Sequence, residues 1–389
     1  MDALLAERAQ LIDRLMDHLV EQMPEIVQKH VEEPVRDSLK ANLAVCFDQL
    51  ARRVPLDLVH MSPELIEHTR AMVHHGLASD AVMRGYRLTT VYLVDHWISL
   101  IAASRFEQAL AFDLVKDGTR YLWNWAEAAT AQLATEYQLE ANRLSTERSQ
   151  ARLAAVRNLL SSDDQSLEAA TRELGYRFGS RHLAVVLRAE AGPRSTEILD
   201  AALRDLTRDL HVARLTVHAG AQTLWCWLEC LEDVPIGRTL PKHPVIIGVG
   251  RVGQGIEGFR RSHHDAVAAV HVGEIANKPR PVLHFYAEVE LAALCTVDPS
   301  RARDFIRENL GDLAAADSDS LQRRATLASY LEANCNYRAA AAALGIHHNT
   351  IRYRLEQIER RLGRGISENR LMLEVALNVA ETLGFDDGF

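Results

Sequence analysis

The clearest pattern of apolar and polar positions lies near the C-terminus. Ile351, Leu355, Ile358 and Leu362 recur at spacings of four, three and four, which at 100° per residue forms one stripe of a helix. Asn349 and Tyr353 point most directly away from that stripe, Thr350 and Arg352 flank them, and His347 and His348 stand at the helix start. A short alanine-rich helix precedes it. Its side chains around Ala341 permit close approach of a neighbour, Gly345 supplies a turn where φ > 0 is often needed, and Ile346 fills the corner. The spacing fits a helix-turn-helix, and it also fits an amphipathic hairpin whose arginines only keep a surface wet. Leu321, Tyr330 and Leu331 predict a scaffold helix before the pair; Leu371, Leu373, Val375, Ala376, Val379 and Leu383 predict a closing helix after Ser367.

Residues 1–150 read as helices with almost no strand signal. Leu4, Leu5, Leu11, Ile12, Leu15 and Leu19 make a first apolar face, Pro24 and Pro34 punctuate, and Leu39, Leu43, Phe47 and Leu50 make a second. Ser62-Pro63-Glu64 is a helix start, with serine as cap and proline in the first turn; Ser79 is a further cap ahead of Val82, Tyr86, Thr89, Leu93, Trp97 and Leu100. Another helix runs from about Ala111 to Tyr137. The segment 138–162 turns polar yet remains helix-forming, as a connecting helix that packs on a second copy or as a solvated linker. From 163 to 297 helix and strand alternate, with strands at His182–Leu187, Ala213–Val217, Thr223–Cys230 and Val245–Val249 and helices at Leu167–Leu174, Thr196–Leu210 and Ile256–His271. The expected architecture is multi-domain: an all-α N-terminal bundle over 1–140, a connecting helix over 141–162, an α/β domain over 163–297 and an all-α helix-turn-helix domain over 298–389.

Charge sharpens the reading of the C-terminal helices. Between Leu321 and Gly363 seven arginines face three glutamates, inside a 389-residue chain of formal net charge −9. A basic module in an acidic protein is the electrostatic footprint of a phosphate-binding surface, so double-stranded DNA becomes the expected partner. Hydrophobic residues at 48% and charged residues at 25% describe an ordinary globular chain. Asp2 and Glu7 stand where a secretory signal would be basic, and the most apolar stretch, Val91–Ala103, is cut by Asp95-His96 and too short to span a bilayer; a cytoplasmic protein without membrane contact is expected.

Little in the chain suggests catalysis. Five cysteines lack a CxxC pair and read as buried thiols. The doublets His74-His75, His263-His264 and His347-His348 place adjacent rings 100° apart on a helix, poor geometry for a shared metal, so neither metal nor cofactor is expected. Gly248-Val249-Gly250-Arg251-Val252-Gly253 spells GxGxxG between a strand and a helix, but the acidic residue about 20 positions on, Glu274, falls at a helix end rather than a strand end, and the match reads as accidental. Trp225 and Trp227 alternate as pocket lining or as packing. Arg87, inside an apolar helix, is a candidate for an acidic ligand or for a structural pair with Asp80 or Asp95.

The run His347-His348-Asn349-Thr350-Ile351-Arg352-Tyr353-Arg354-Leu355, preceded by Asn336-Tyr337-Arg338-Ala339-Ala340 and Leu344-Gly345-Ile346, resembles the C-terminal DNA-binding domain of PucR/CdaR-type bacterial transcriptional regulators over about 321–383. The family usually has a basic or polar residue where His348 stands. Ile247-Gly248-Val249-Gly250, Gly255, Ser262, Asp265-Ala266 and Ala269 resemble the late strand and helix of that family's GGDEF-like domain. More loosely, Gly76, Ala81-Val82 and Gly85-Tyr86-Arg87 resemble the helical N-terminal domain of some PucR-type regulators and RsbR-type stress co-antagonists. The resemblance implies a homodimeric or higher-order regulator that reads operator DNA, with His348, Asn349, Arg352 and Tyr353 at or near base edges, His347 beside them, and Arg338, Thr350 and Arg354 toward phosphates. It also implies an effector, small molecule or partner, acting through the N-terminal or middle domain. A protein-interaction scaffold of the co-antagonist type is the alternative, and a residual cyclase the third reading. Cyclase chemistry needs carboxylates on a hairpin to hold metal against triphosphate, and the corresponding hairpin, His218-Ala219-Gly220-Ala221-Gln222, has none.

Overall fold

In the computed structural model, residues 8–52, 54, 63–161, 166–230, 236–276, 278–315 and 317–384 are described. Leu4, Leu5 and the cap at Ser62 lie outside them. The chain divides into two compact units, 1–148 and 149–389.

The first unit is helical throughout its described residues: α1 Arg8–Gln22, α2 Glu25–Gln28, α3 Glu32–Ala51, α4 Pro63–His74, α5 Ser79–Ala103, and the first part of α6, Gln108–Ser161. Leu11, Leu15 and Leu19 of α1 are buried against Leu39, Leu43 and Phe47 of α3, Val82 and Leu93 of α5, and Leu122 and Trp125 of α6. Pro24 separates α1 from α2, whereas Pro34 sits inside the first turn of α3, where a missing N–H costs nothing. Ser79 is the first residue of α5 rather than its cap, and the cap position, Ala78, contributes no side-chain bond. The helices expected at 111–137 and 138–162 are one 54-residue helix. No proline interrupts α6, and i,i+4 pairs such as Arg143–Glu147 at 2.9 Å support its polar stretch. Among the described residues no helix is long and apolar enough to cross a membrane.

The second unit contains a mixed sheet. After α7 (Leu167–Leu174), it is built from β1 Arg181–Ala189, α8 Ser195–Leu206, β2 Arg214–His218, β3 Thr223–Cys230, β4 Val245–Val249, β5 Gly253–Gln254, α9 Gly255–Ile275 and β6 Val282–Phe285. Strand order is β2-β3-β1-β4-β6, with β5 pairing with β1; only β4 and β6 run parallel. The side chains of β1 alternate between two cores: Val185 and Leu187 pack with α8, and Ala184 and Val186 pack with Trp227 and Phe259. Both faces are covered, so β1 reads as an unbroken apolar run rather than an alternating one. The short β5 and β6 carry too few residues to show a period in sequence.

The GxGxxG run owes its glycines to packing. A Cβ on Gly248 would sit 2.1 Å from the Ala266 carbonyl oxygen, and one on Gly250 would sit 2.0 Å from that of Ser262, both on α9. Strand and helix touch through bare backbone, and Ser262 Oγ accepts the Ala184 N–H at 2.8 Å. Trp227 is fully buried, its ring stacked on Phe259 at 4.3 Å with Nε1 donating to the Phe259 carbonyl, which settles it as packing. Glu274 pairs with Arg188 at 2.6 Å.

The unit closes with α10 Tyr286–Cys295, α11 Pro299–Leu310, a 3-10 turn Gly311–Ala314, α12 Ser318–Glu332, α13 Tyr337–Leu344, α14 His348–Leu362 and α15 Arg370–Leu383. One apolar core joins Val272 of α9 and Val289 of α10 to Ile306, Leu327, Ile351, Leu355, Leu373 and Val379. Leu371 and Leu321, expected as core positions, are 66% and 52% exposed.

Candidate nucleic-acid interface

Local signals account for how α13 and α14 are set. The Asn336 side chain caps α13 by accepting the N–H groups of Arg338 and Ala339 at 3.0 and 3.2 Å. Gly345 ends the helix at φ +65, and the Ile346 N–H turns back to the Ala341 carbonyl at 3.0 Å. His347 then caps α14, its Nδ1 accepting the Asn349 N–H at 3.3 Å. Buried Ala340 and Ala341 let the helices close on one another, while buried Ile351, Leu355 and Ile358 anchor α14 with about 2 kcal/mol each of apolar burial. Leu362 is only partly buried.

The polar face of α14 is presented as its pattern predicts. Arg338, His347, His348, Asn349, Arg352 and Tyr353 are exposed, Tyr353 at 58%. Arg352 lies over the Tyr337 ring, its guanidinium carbon 5.6 Å from the centroid, and Tyr337 in turn packs on Tyr330 at 4.9 Å. That stack restrains a long side chain before any ligand arrives. Tyr337 has no role in the sequence reading, because an aromatic at the first position of a helix looks like ordinary packing. The rings of His347 and His348 are 4.1 Å apart. Desolvation by its neighbours, then the positive charges of His347, Arg338 and Arg352, hold the His348 imidazole below its usual range. The standing positive charge at the start of α14 therefore comes from Arg338 and Arg352.

Two sets of contacts add to the sequence reading. Arg354 and Thr350 are half-buried, and Arg354 Nη1 donates to Thr326 Oγ1 at 3.2 Å, a bond that ties α14 to α12. The arginine surplus also overstates surface charge. Arg324 is buried and donates to the Leu313 and Ala315 carbonyls, and Arg323 and Arg361 both pair with Asp319, at 2.9 and 3.1 Å.

The other candidate residues lie away from this face. Arg87 is exposed on α5 and lines no described cavity; neither Asp80 nor Asp95 bonds to it. Cys46, Cys226 and Cys230 are buried and burial pushes the Cys46 thiol up to about 12, but Cys295 and Cys335 are only partly covered. The hairpin His218–Gln222 joins β2 to β3, and its one titratable residue, His218, bonds Asp200 at 3.0 Å. Among the described residues no group of three or more metal-ligating side chains gathers.

The class that this geometry defines is a helix-turn-helix module joined to an α/β domain and a helical domain. Residues 324–379 match the PucR C-terminal helix-turn-helix domain, 158–272 the GGDEF-like domain, and 9–152 the N-terminal domain of the RsbT co-antagonist protein rsbRD. The chain thus carries a PucR-type helix-turn-helix domain C-terminal to a GGDEF-like domain. It is similar to the uncharacterized protein in pkwA 5'region of Thermomonospora curvata, 39% identical over 101 residues, covering 25% of this chain and 55% of that protein. It is also similar to the carbohydrate diacid regulator of Escherichia coli (strain K12), 32% identical over 141 residues, 35% of each chain. The proline-responsive transcriptional activator PutR of Bacillus subtilis (strain 168) is 26% identical over 140 residues, 35% of this chain and 34% of that one. The match spans between 34% and 55% of the length of these relatives.

Proposed function

We propose that the chain is a cytoplasmic DNA-binding transcriptional regulator of the PucR/CdaR type. The observation that carries this reading is the cluster of Arg338, His348, Asn349, Arg352 and Tyr353, exposed at the start of a helix whose opposite stripe is locked into a core. The start of α14 enters the major groove; Asn349, Arg352, Tyr353 and His348 lie at base edges, and Arg338 and the backbone near Thr350 face phosphates. One such helix touches only a few base pairs, so the working form is a homodimer or higher oligomer that reads two half-sites. A metabolite or protein partner acts through the N-terminal or middle domain. The resemblance of 9–152 to the RsbRD N-terminal domain favours a second reading, an interaction scaffold, but a scaffold has no use for the cationic face of α14.

Selection of bound sequences from a random duplex library with the full chain tests the reading. An enriched inverted repeat, its half-site centres about one helical turn or a multiple apart, is expected. Affinity should fall with salt at roughly −0.9 in log-log slope per phosphate contacted. Recovery of unselected sequence would overturn it.

The chain performs no catalysis in this reading. The β2–β3 hairpin has no carboxylate to hold a metal against a triphosphate. Incubation of the full chain with GTP and magnesium is expected to leave GTP unchanged, and a metal-dependent cyclic dinucleotide on chromatography would restore the cyclase reading.

A further inference from the structure

The first unit holds a cavity of about 60 Å³ lined by residues of α1 to α6, its wall apolar except on one side, where Ser38 and Asn42 of α3 and Tyr86, Thr89 and Thr90 of α5 line it. Leu19, Met23, Leu43 and Met72, all nearly fully buried, form the apolar part. On that side Asn42 stands beside Tyr86. Asn42 is 6% exposed; its Nδ2 donates to the Ser38 carbonyl at 2.8 Å and to the Tyr86 hydroxyl at 2.7 Å. The Ser38 carbonyl can only accept, so the amide nitrogen must face it and the orientation of the side chain is fixed. Asn42 Oδ1 is left buried without a hydrogen-bond partner. An unmet acceptor in an apolar chamber is costly, and a donor that enters with an apolar body removes that cost.

We infer that this cavity is a binding site for a small neutral molecule, an apolar body of a few heavy atoms carrying one O–H or N–H donor, which donates to Asn42 Oδ1. Among the described residues no charged side chain lines the cavity, so carboxylates, phosphates and ammonium groups are excluded by desolvation. Burial pushes the Tyr86 hydroxyl up to about 12, so it too stays neutral. The size follows from volume. A water needs roughly 10–15 Å³ measured in the same way and an apolar cavity of about 150 Å³ holds benzene, which places the occupant between the two. The site stands independently of DNA binding, and its ligand class differs from the acidic one that Arg87 suggests in sequence.

The test uses the full chain with 13C-methyl methionine, because Met23 and Met72 line the cavity and report on it directly. 2-Propanol is expected to shift both methyl signals saturably, with a Kd on the order of 0.1–10 mM for so small a ligand. Acetone, similar in size but without a donor, should bind at least fivefold more weakly, and acetate not at all. The Asn42→Leu variant should bind the alcohol and the ketone equally. Absence of a saturable shift at Met23 and Met72, equal affinity for alcohol and ketone in the unmodified chain, or binding of acetate would each overturn the proposal. The three-probe comparison decides it even where Asn42→Leu does not fold.

Discussion

Replacing Arg352 and Tyr353 together with alanine is expected to reduce affinity for the selected duplex at least about 100-fold while leaving the fold intact. Both side chains are exposed on α14, and neither contributes to the core built by Ile351, Leu355 and Ile358. Their removal therefore costs little stability, whereas each hydrogen-bonded pairing with a base edge is worth roughly 1–3 kcal/mol and tenfold in affinity is about 1.4 kcal/mol. In a dimer both half-sites feel the change. Arg354→Ala supplies the contrast. Its hydrogen bond to Thr326 links α14 to α12, so it should lower stability by about 1 kcal/mol and change affinity little once the protein is folded. Fluorescence anisotropy on labelled duplex, with circular dichroism melts alongside, separates the two effects. Unchanged anisotropy for the double variant would remove α14 as the reading helix.

The helix-turn-helix was legible because its information is local. A stripe at helical spacing, a glycine at φ +65 and a short turn all act within a few residues, and the structure places each where the spacing does. The strands Thr223–Cys230 and Val245–Val249 were legible to the residue for the same reason: both are β-branched or aromatic runs flanked by turn formers. What sequence concealed depends on tertiary partners. Counting arginines could not show that Arg323 and Arg361 share Asp319 or that Arg324 is committed to two carbonyls. Nor could the apolar pattern of α5 show that Tyr86, not Arg87, lines the interior cavity. Helix α11 is a different case: Asp298-Pro299 is a cap followed by proline in the first turn, a readable start, and the Asp298 carboxylate does accept the N–H groups of Ser300 and Arg301.

Acid is expected to unfold the second unit earlier than its carboxylates alone would predict, and His263 should carry the largest share. His263 is 4% exposed, stacked on Trp227 at 5.0 Å and edge-on to Trp225 at 4.6 Å, with Nδ1 unpartnered. Burial, reinforced by His264, holds its imidazole down at about 3 against an ordinary value of 6.5. Burial likewise lowers His182 and His284. The folded state thus binds fewer protons than the unfolded one between about 3 and 6.5, so stability is full above the unfolded value and falls as pH drops through that window. At pH 4 the loss from His263 alone amounts to about 3 kcal/mol, a large part of a typical domain's stability. His263→Leu keeps an apolar group against Trp227 and removes the titration. Its urea midpoint, followed by tryptophan emission from pH 7 to pH 4, should decline less steeply than that of the unmodified chain. Equal slopes for the two proteins would mean that His263 titrates normally, and that the Trp227 stack admits water.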